Sequence, residues 1–214
     1  MMGGADRQAA MKEGEIGGGG MRFRYRDAGA GPALVCLGGA AQRAKTRTLL
    51  AERYRVVELL LDDAPPPPSA AIIEAVAALG ITRCDLIASG AKDALALALA
   101  LEHPEKIGAL VLLGPRSVAR HGEPARGMDQ ALIERLGALK LPSLAVFGTK
   151  DALAPVEAAR HYRTRIPGCN LVLLYDASEA MEGERPEALA ALLLDFLERH
   201  DLFLVRRESD LLYP

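Results

Sequence analysis

The chain has 214 residues, which is enough for one domain with a sizeable buried core and for at most two domains. Its 26 Lys+Arg residues nearly balance its 28 Asp+Glu residues, so the composition offers no basic surface for nucleic acid. Hydrophobic residues make up 50% and charged residues 25%, which excludes a globally disordered chain.

The first segment, residues 1–20, is rich in glycine and holds few side chains that can pack in a core. We expect it to be a flexible leader, with Met21 as an alternative start. Residues 21–26 then alternate arginine with an aromatic residue, which is typical of a half-buried edge strand.

Strands and helices alternate along the rest of the chain. Apolar runs predict strands at 33–37, 54–61, 84–88, 107–113, 143–147 and 170–175. Helical patterns lie between and after them, at 43–53, 69–79, 91–103, about 125–138, about 153–165 and 185–198. This alternation predicts an α/β fold with a mostly parallel central sheet and helices on both faces. In such sheets ligands bind at the carboxyl ends of the strands, so the candidate site lies in the loops there.

Four stretches, in this order and spacing, resemble the α/β-hydrolase family over about residues 21–200. They are residues 25–39, which look like the first strands and oxyanion loop; 85–106, the nucleophile elbow and its helix; 141–155, the end of the acid-bearing strand; and 184–197, the final helix. The resemblance implies that family's fold as a single domain over 21–200. Its cap is reduced or absent, because only about residues 115–140 are available for one.

The catalytic residues of that family do not carry over. Members use a G-x-S-x-G turn that exposes a serine at the start of a helix, and no window of this sequence matches it. The resemblance instead places Gly90 at the nucleophile position, Asp151 at the acid position and Glu179 at the histidine position. Glycine has no side chain to attack with, and a carboxylate is a weaker base than the imidazole that normally activates serine.

These replacements lead to two classes of hypothesis. The first is a protein that has lost serine-hydrolase chemistry and acts as a ligand-binding, protein-binding or accessory module. The alternative is an active esterase or thioesterase that uses Ser89, one residue before Gly90, or a carboxylate-assisted reaction of Asp151 with Glu179. The candidate oxyanion and ligand-binding positions are Gly38, Gly39, Ala91 and Lys92. Lys92 is also expected to form a salt bridge with Asp151 or Glu179.

Two observations separate the hypotheses. One is whether a nucleophile and a base lie within hydrogen-bond reach at the strand ends. The other is whether Ser89 lies at the apex of the turn or is turned under it. Among the histidines, His121, in the loop after strand 107–113, is the one placed to reach these strand ends.

The remaining signals concern the cysteines, the membrane and the tail. The three cysteines are widely spaced without a C-x-x-C pair, so we predict no disulfide framework, no metal site and no cofactor. No apolar run reaches the roughly 20 residues of a membrane helix, and no secretory signal is visible, so we expect a cytoplasmic protein with no membrane contact. Residues 201–214 form a C-terminal tail, either packed on the domain or available as an edge strand or partner-binding segment. The oligomeric state stays open.

Overall fold

The computed structural model describes residues 11–38, 45–62, 65–118 and 130–203, and it is built on one central sheet. Its strands are β1 (Lys12–Gly18), β2 (Met21–Ala28), β3 (Ala33–Gly38), β4 (Arg55–Leu60), β5 (Cys84–Ser89), β6 (Ile107–Leu113), β7 (Ser143–Gly148) and β8 (Cys169–Leu174). Its α-helices are α1 (Lys45–Leu50), α2 (Ser69–Ala78), α3 (Asp93–Glu102), α4 (Gln130–Arg135), α5 (Val156–Arg165), α6 (Met181–Glu184) and α7 (Pro186–Arg199).

The strand order is β1-β2-β4-β3-β5-β6-β7-β8. All pairs from β4 through β3 to β8 are parallel, whereas β1 and β2 join one edge in antiparallel pairs. The predicted α/β class with a mostly parallel sheet is therefore confirmed. Because parallel strands are connected by crossover helices, both faces of this sheet are covered and the central strands are nearly continuous apolar runs.

Two apolar cores lie on the two faces of the sheet. On one face, alternate strand residues such as Val35 and Leu86 pack against α2, α3, α4 and α5. On the other, residues such as Leu34 and Ile87 pack against α1, α6 and α7. Of the described helices, none combines the length and apolar character needed to cross a bilayer.

The amino-terminal segment departs from the sequence prediction. Lys12–Gly18 forms β1 and pairs with β2 in a continuous register from Lys12↔Asp27 to Gly18↔Met21. The predicted flexible leader is wrong for these residues, and β2 is consequently not the edge strand. The glycines allow this arrangement, since buried Gly18 lies directly against the backbone of α2. Residues 1–10 lie outside the described residues.

The segment available for a cap contributes α4, followed by a 3₁₀ turn at Leu136–Ala138. Leu132, Ile133 and Leu136 belong to the core on the sheet face that packs against α2, α3 and α5. Residues 119–129, which include His121, lie outside the described part of the chain. Past α7, Phe203 is buried against Phe196, with ring centroids 5.6 Å apart, so the start of the tail packs on the domain.

The close approach of β1 to α2 generates a first prediction. A Cβ at Gly18 would lie 2.2 Å from the Ala71 carbonyl oxygen, whereas one at Gly17 meets nothing closer than 3.9 Å. Gly18→Ala should lower the free energy of unfolding by about 1–3 kcal/mol through overpacking. The control Gly17→Ala should change it by less than about 1 kcal/mol. Urea unfolding of both variants measures the difference, and equal values would contradict a packed β1.

Candidate functional site

The turn between β5 and α3 has the backbone shape of a strand-to-helix elbow. Gly90 lies at its apex with φ +58°, and a 3₁₀ turn over Gly90–Lys92 leads into the helix. A residue with a side chain is strained in this left-handed region, but glycine adopts it freely. The apex therefore keeps the conformation that presents a side chain to the site, while presenting none.

Ser89 lies under this apex. The side chains of β5 alternate, so Ser89 shares the face of Ile87, which packs toward α1, α6 and α7. Its Oγ donates a hydrogen bond of 3.2 Å to Oε1 of Glu182, at the start of α6. A nucleophile and a proton acceptor thus lie within hydrogen-bond reach at the carboxyl end of β5.

The Glu182 carboxylate is held by α1. Nη2 of Arg47 donates to both of its oxygens, at 2.9 and 3.2 Å, and lies 3.5 Å from Ser89 Oγ. Thr46, the preceding residue, donates from Oγ1 to the Glu182 main-chain carbonyl at 2.8 Å. The side chains of Arg47 and Glu182 are 9% and 19% exposed, so the pair is largely desolvated but still open to solvent on the carboxylate side.

The same guanidinium reaches back to the sheet. Its Nε lies 3.8 Å from Oε1 of Glu58, whose other oxygen lies 3.6 Å from Nη1 of Arg26. Burial alone would lower the pKa of Arg47, but Cys36, Glu182 and Glu58 together raise it. Arg47 is therefore a permanent cation here, placed between the buried carboxylate of Glu58 and the partly buried carboxylate of Glu182.

Cys36 lies beside this network and does not supply a nucleophile. Burial raises the pKa of its thiol to about 12, although the nearby Arg47 opposes that effect. A thiol with this pKa is protonated at neutral pH and unreactive. The other two cysteines are likewise buried and free.

Asp151 lies at the end of β7, where the family resemblance placed it, and serves the local loop. Its Oδ1 accepts hydrogen bonds of 2.8 Å from the backbone N–H groups of Leu153 and Ala154. Its Oδ2 is buried and has no hydrogen-bond partner among the described residues. A Cβ built on Gly114 would lie 2.8 Å from Oδ2 and 3.7 Å from Cε of buried Met181.

Glu179 does not take part in this arrangement. It is exposed, whereas Asp151 is buried, and the carboxylate that enters the site is Glu182, three residues later. The strand ends therefore do not bring Asp151 and Glu179 together as a pair. Lys92 donates to the Asp62 carbonyl oxygen and forms no ion pair with Asp151 or Glu179 in the described part of the chain.

The predicted oxyanion positions have mixed outcomes. Gly38 ends β3 beside the site, and a Cβ on it would lie 3.7 Å from Nη2 of Arg47. Ala91 is exposed on the elbow. Gly39 lies outside the described residues.

Asp93 is the fully buried acid of the elbow helix. Its Oδ2 accepts hydrogen bonds from the backbone N–H groups of Arg116 (3.0 Å) and Ser117 (2.8 Å) and from the Tyr162 hydroxyl (2.9 Å). Burial raises the pKa of Asp93, while these hydrogen bonds oppose the effect. The acid therefore fixes the loop after β6 against α3.

That loop carries Arg116 to the apex. A Cβ on Gly90 would lie 3.4 Å from both Cζ and Nη2 of Arg116. Sequence reasoning missed Arg47, Glu182 and Arg116 as site residues. Arg116 and Glu182 lie in segments that follow strand ends, which is a usable signal for a site, whereas Arg47 lies in a polar stretch of ordinary composition.

Among the described residues, no group of His, Cys, Asp or Glu side chains has the arrangement needed to hold a metal ion. At the carboxyl end of β5, the described residues bring together the Ser89 hydroxyl, the paired Glu182 carboxylate and the guanidinium groups of Arg47 and Arg116.

Sequence comparison finds esterases among the relatives. No protein-family model matches the chain. The chain is 34% identical over 106 residues to the pimeloyl-[acyl-carrier protein] methyl ester esterase of Neisseria meningitidis serogroup B, and the match covers 46% of this chain and 40% of that protein. The serogroup A enzyme matches equally over 33% of its length. The match thus spans less than half the length of these curated relatives.

Comparison of structures establishes the fold. A serine hydrolase involved in carbazole degradation superposes with a TM-score of 0.72 at 20% identity, covering 88% of this chain and 99% of that one. A 2-hydroxy-6-oxo-6-phenylhexa-2,4-dienoate hydrolase from Rhodococcus sp. strain RHA1 gives 0.73 at 17%, over 89% and 99% of the two chains. A carboxylesterase from Bacillus subtilis gives 0.72 at 13%, over 88% and 92%. The chain therefore has the α/β-hydrolase fold.

The left-handed backbone of the apex can be tested by substitution. Gly90→Ala should lower the free energy of unfolding by about 1–2 kcal/mol, because a Cβ is strained at φ +58°. Gly80 is a matched control, since it has φ +77° and a Cβ there would meet nothing within 4 Å. Gly80→Ala should cost about the same, and thermal unfolding compares the two. A silent Gly90→Ala beside a costly Gly80→Ala would contradict the elbow geometry.

The role of Asp151 in its loop gives a separate prediction. Asp151→Ala should lower the free energy of unfolding by about 2–4 kcal/mol, because two backbone N–H groups lose their acceptor. Asp151→Asn keeps an oxygen at that place and removes a buried, half-satisfied charge, so its effect should stay within about 1 kcal/mol. Guanidinium chloride unfolding measures both. An asparagine variant as unstable as the alanine variant would contradict the view that Asp151 acts through the acceptor Oδ1.

Proposed function

We propose that this protein, which has the α/β-hydrolase fold, is a carboxylic ester hydrolase whose nucleophile is Ser89. The observation that carries the proposal is the 3.2 Å hydrogen bond from Ser89 Oγ to Glu182 Oε1 at the carboxyl end of β5. A hydroxyl becomes a nucleophile when an adjacent base takes its proton and a third group orients that base. Here Glu182 is the base and Arg47 the orienting group.

The proposed steps use only these residues. Ser89 Oγ attacks the ester carbonyl carbon while its proton passes to Glu182, and the carbonyl oxygen gains the negative charge. Collapse of this intermediate expels the alkoxide, which takes the proton back from Glu182 and leaves as the alcohol. Water then attacks the acyl-serine, giving its proton to Glu182, and the acid leaves as Ser89 Oγ regains a proton.

The expected rate is modest. General-base catalysis contributes about 10²–10⁴-fold at best, and it is greatest for a base matched to the working pH. A carboxylate whose oxygens both accept hydrogen bonds from Arg47 is a poorer acceptor than a neutral imidazole. We therefore expect slow turnover with activated esters.

The choice of ester chemistry is supported by the relatives. The curated proteins that the chain resembles are named as methyl ester esterases, and one structural neighbour is named as a carboxylesterase. A simple acyl ester is accordingly the substrate class proposed.

A second candidate is a module that binds an ester or acid without turnover. The specific observation in its favour is Gly90, because the apex that presents the nucleophile in G-x-S-x-G hydrolases carries no side chain here. Under this alternative the Arg47–Glu182 pair only closes the site structurally.

Hydrolysis of 4-nitrophenyl hexanoate distinguishes the two. The wild type should exceed the buffer rate, and Ser89→Ala should lower kcat/KM at least about 100-fold. Glu182→Gln should lower it about 10–100-fold, through kcat, because the amide still accepts from Arg47 but takes no proton. Ser143→Ala is the matched control, since this buried serine lies at the opposite end of the sheet.

Two results would contradict ester hydrolysis at Ser89. Hydrolysis that survives in Ser89→Ala, with a normal melting temperature, would reject Ser89 as the nucleophile. A wild-type rate equal to that of buffer, together with saturable binding of hexanoate, would favour the binding module.

A further inference from the structure

We infer that the Arg116 guanidinium, which lies over Gly90 at the apex of the elbow, binds a carboxylate carried by the ligand. The inference rests on the proposed ester hydrolysis for its choice of substrate, which is the half-ester of a dicarboxylic acid. The binding itself does not depend on turnover.

The first observation is where the guanidinium lies. A Cβ on Gly90 would be 3.4 Å from Cζ and Nη2 of Arg116 and 3.6 Å from Nε, so the group covers the glycine at van der Waals distance. It is carried there by the loop after β6, at the carboxyl edge of the sheet where ligands of parallel sheets bind. The guanidinium therefore lies directly over the apex of the elbow, against the position of the missing side chain.

The second observation is that the guanidinium has a buried nitrogen without a hydrogen-bond partner. Its Nε is buried with no hydrogen-bond partner, and none of the described carboxylates forms an ion pair with it. Partly buried arginines are normally paired, because removing an unpaired charge from water is costly. Arg47 differs in this respect, since Glu58 and Glu182 already engage it. Among the described residues at the strand ends, Arg116 is therefore a guanidinium that remains available to a ligand.

The third observation is that the main chain of Arg116 is held in place. The Arg116 main-chain N–H donates to Asp93 Oδ2, which also accepts from Ser117 and from Tyr162, and both Asp93 and Tyr162 are buried. This carboxylate is occupied by backbone and hydroxyl donors, so it fixes the loop without pairing with the guanidinium. A preorganised cation loses less conformational freedom when it binds an anion.

Chemistry favours a carboxylate over other anions. The planar guanidinium fork matches the two oxygens of a carboxylate in a bidentate pair. Ser89 and Gly90 are consecutive, with Cα atoms about 3.8 Å apart, so the hydroxyl and the guanidinium both belong to the carboxyl end of β5.

The test compares two esters with the same six-carbon acyl chain, mono-4-nitrophenyl adipate and 4-nitrophenyl hexanoate. In the wild type, kcat/KM should be at least about 10-fold higher for the half-ester, mainly through KM. Arg116→Gln should remove the preference, and Arg116→Lys should keep part of it as a point charge. The control Arg24→Gln removes one exposed positive charge on β2 and should leave the preference unchanged.

A binding measurement separates this inference from the proposed hydrolysis. Calorimetric titration of adipate into Ser89→Ala protein, which needs no turnover, should show binding that Arg116→Gln weakens at least about 10-fold. That result alone would uphold the subsite even if no ester were hydrolysed. Equal adipate binding with and without Arg116, or none to either, would overturn it while leaving the Ser89 hydrolysis test standing. Tighter binding of inorganic phosphate than adipate, lost in Arg116→Gln, would reject the carboxylate assignment.

Discussion

A buried guanidinium, that of Arg47, joins the sheet to the segment after β8, and the geometry of the candidate site depends on it. It contacts Glu58 from β4 and both oxygens of Glu182 from α6. A buried ion pair contributes little net stability compared with apolar packing, but removing one partner costs about 3–5 kcal/mol because it strands the other charge. The pair therefore acts as a constraint on position, and Ser89 Oγ takes its hydrogen-bond partner from it.

A serine at the apex of the elbow would combine the left-handed backbone with a nucleophilic side chain. In this protein the two belong to different residues, Gly90 and Ser89. The left-handed turn at Gly90 is present, which shows that the strand–helix packing holds it without a functional side chain. Strain of this kind is normally sustained by surrounding structure at active sites. Here glycine removes the strain, a hydroxyl lies one residue earlier on the opposite side of the strand end, and a guanidinium covers the apex.

The parts of the fold that the sequence predicts are those with local signals. Buried parallel strands such as β6 and β7 are continuous apolar runs ended by glycine, so their limits agree with the prediction to within a residue. Strand β1 has no such signal, because Lys12–Gly18 becomes a strand only through pairing with β2. The assignment of Glu179 to the histidine position does not match the structure, for a related reason. Asp176 turns the loop with φ +57°, so counting along it selects exposed Glu179, whereas the short helix α6 brings Glu182 inward.

Under the proposed hydrolysis, Arg47 would also stabilise the negative charge that forms during attack. Before attack its charge is balanced by Glu182, and proton transfer from Ser89 neutralises that carboxylate as the ester oxygen becomes negative. The guanidinium, 3.5 Å from Ser89 Oγ, then faces a new anion in place of the old one, in a site where solvent screens poorly. The guanidinium that orients Glu182 would thereby also stabilise the negative charge that develops on the ester oxygen. Hydrolysis at Ser89 therefore requires the whole Arg47–Glu182 pair rather than the carboxylate alone.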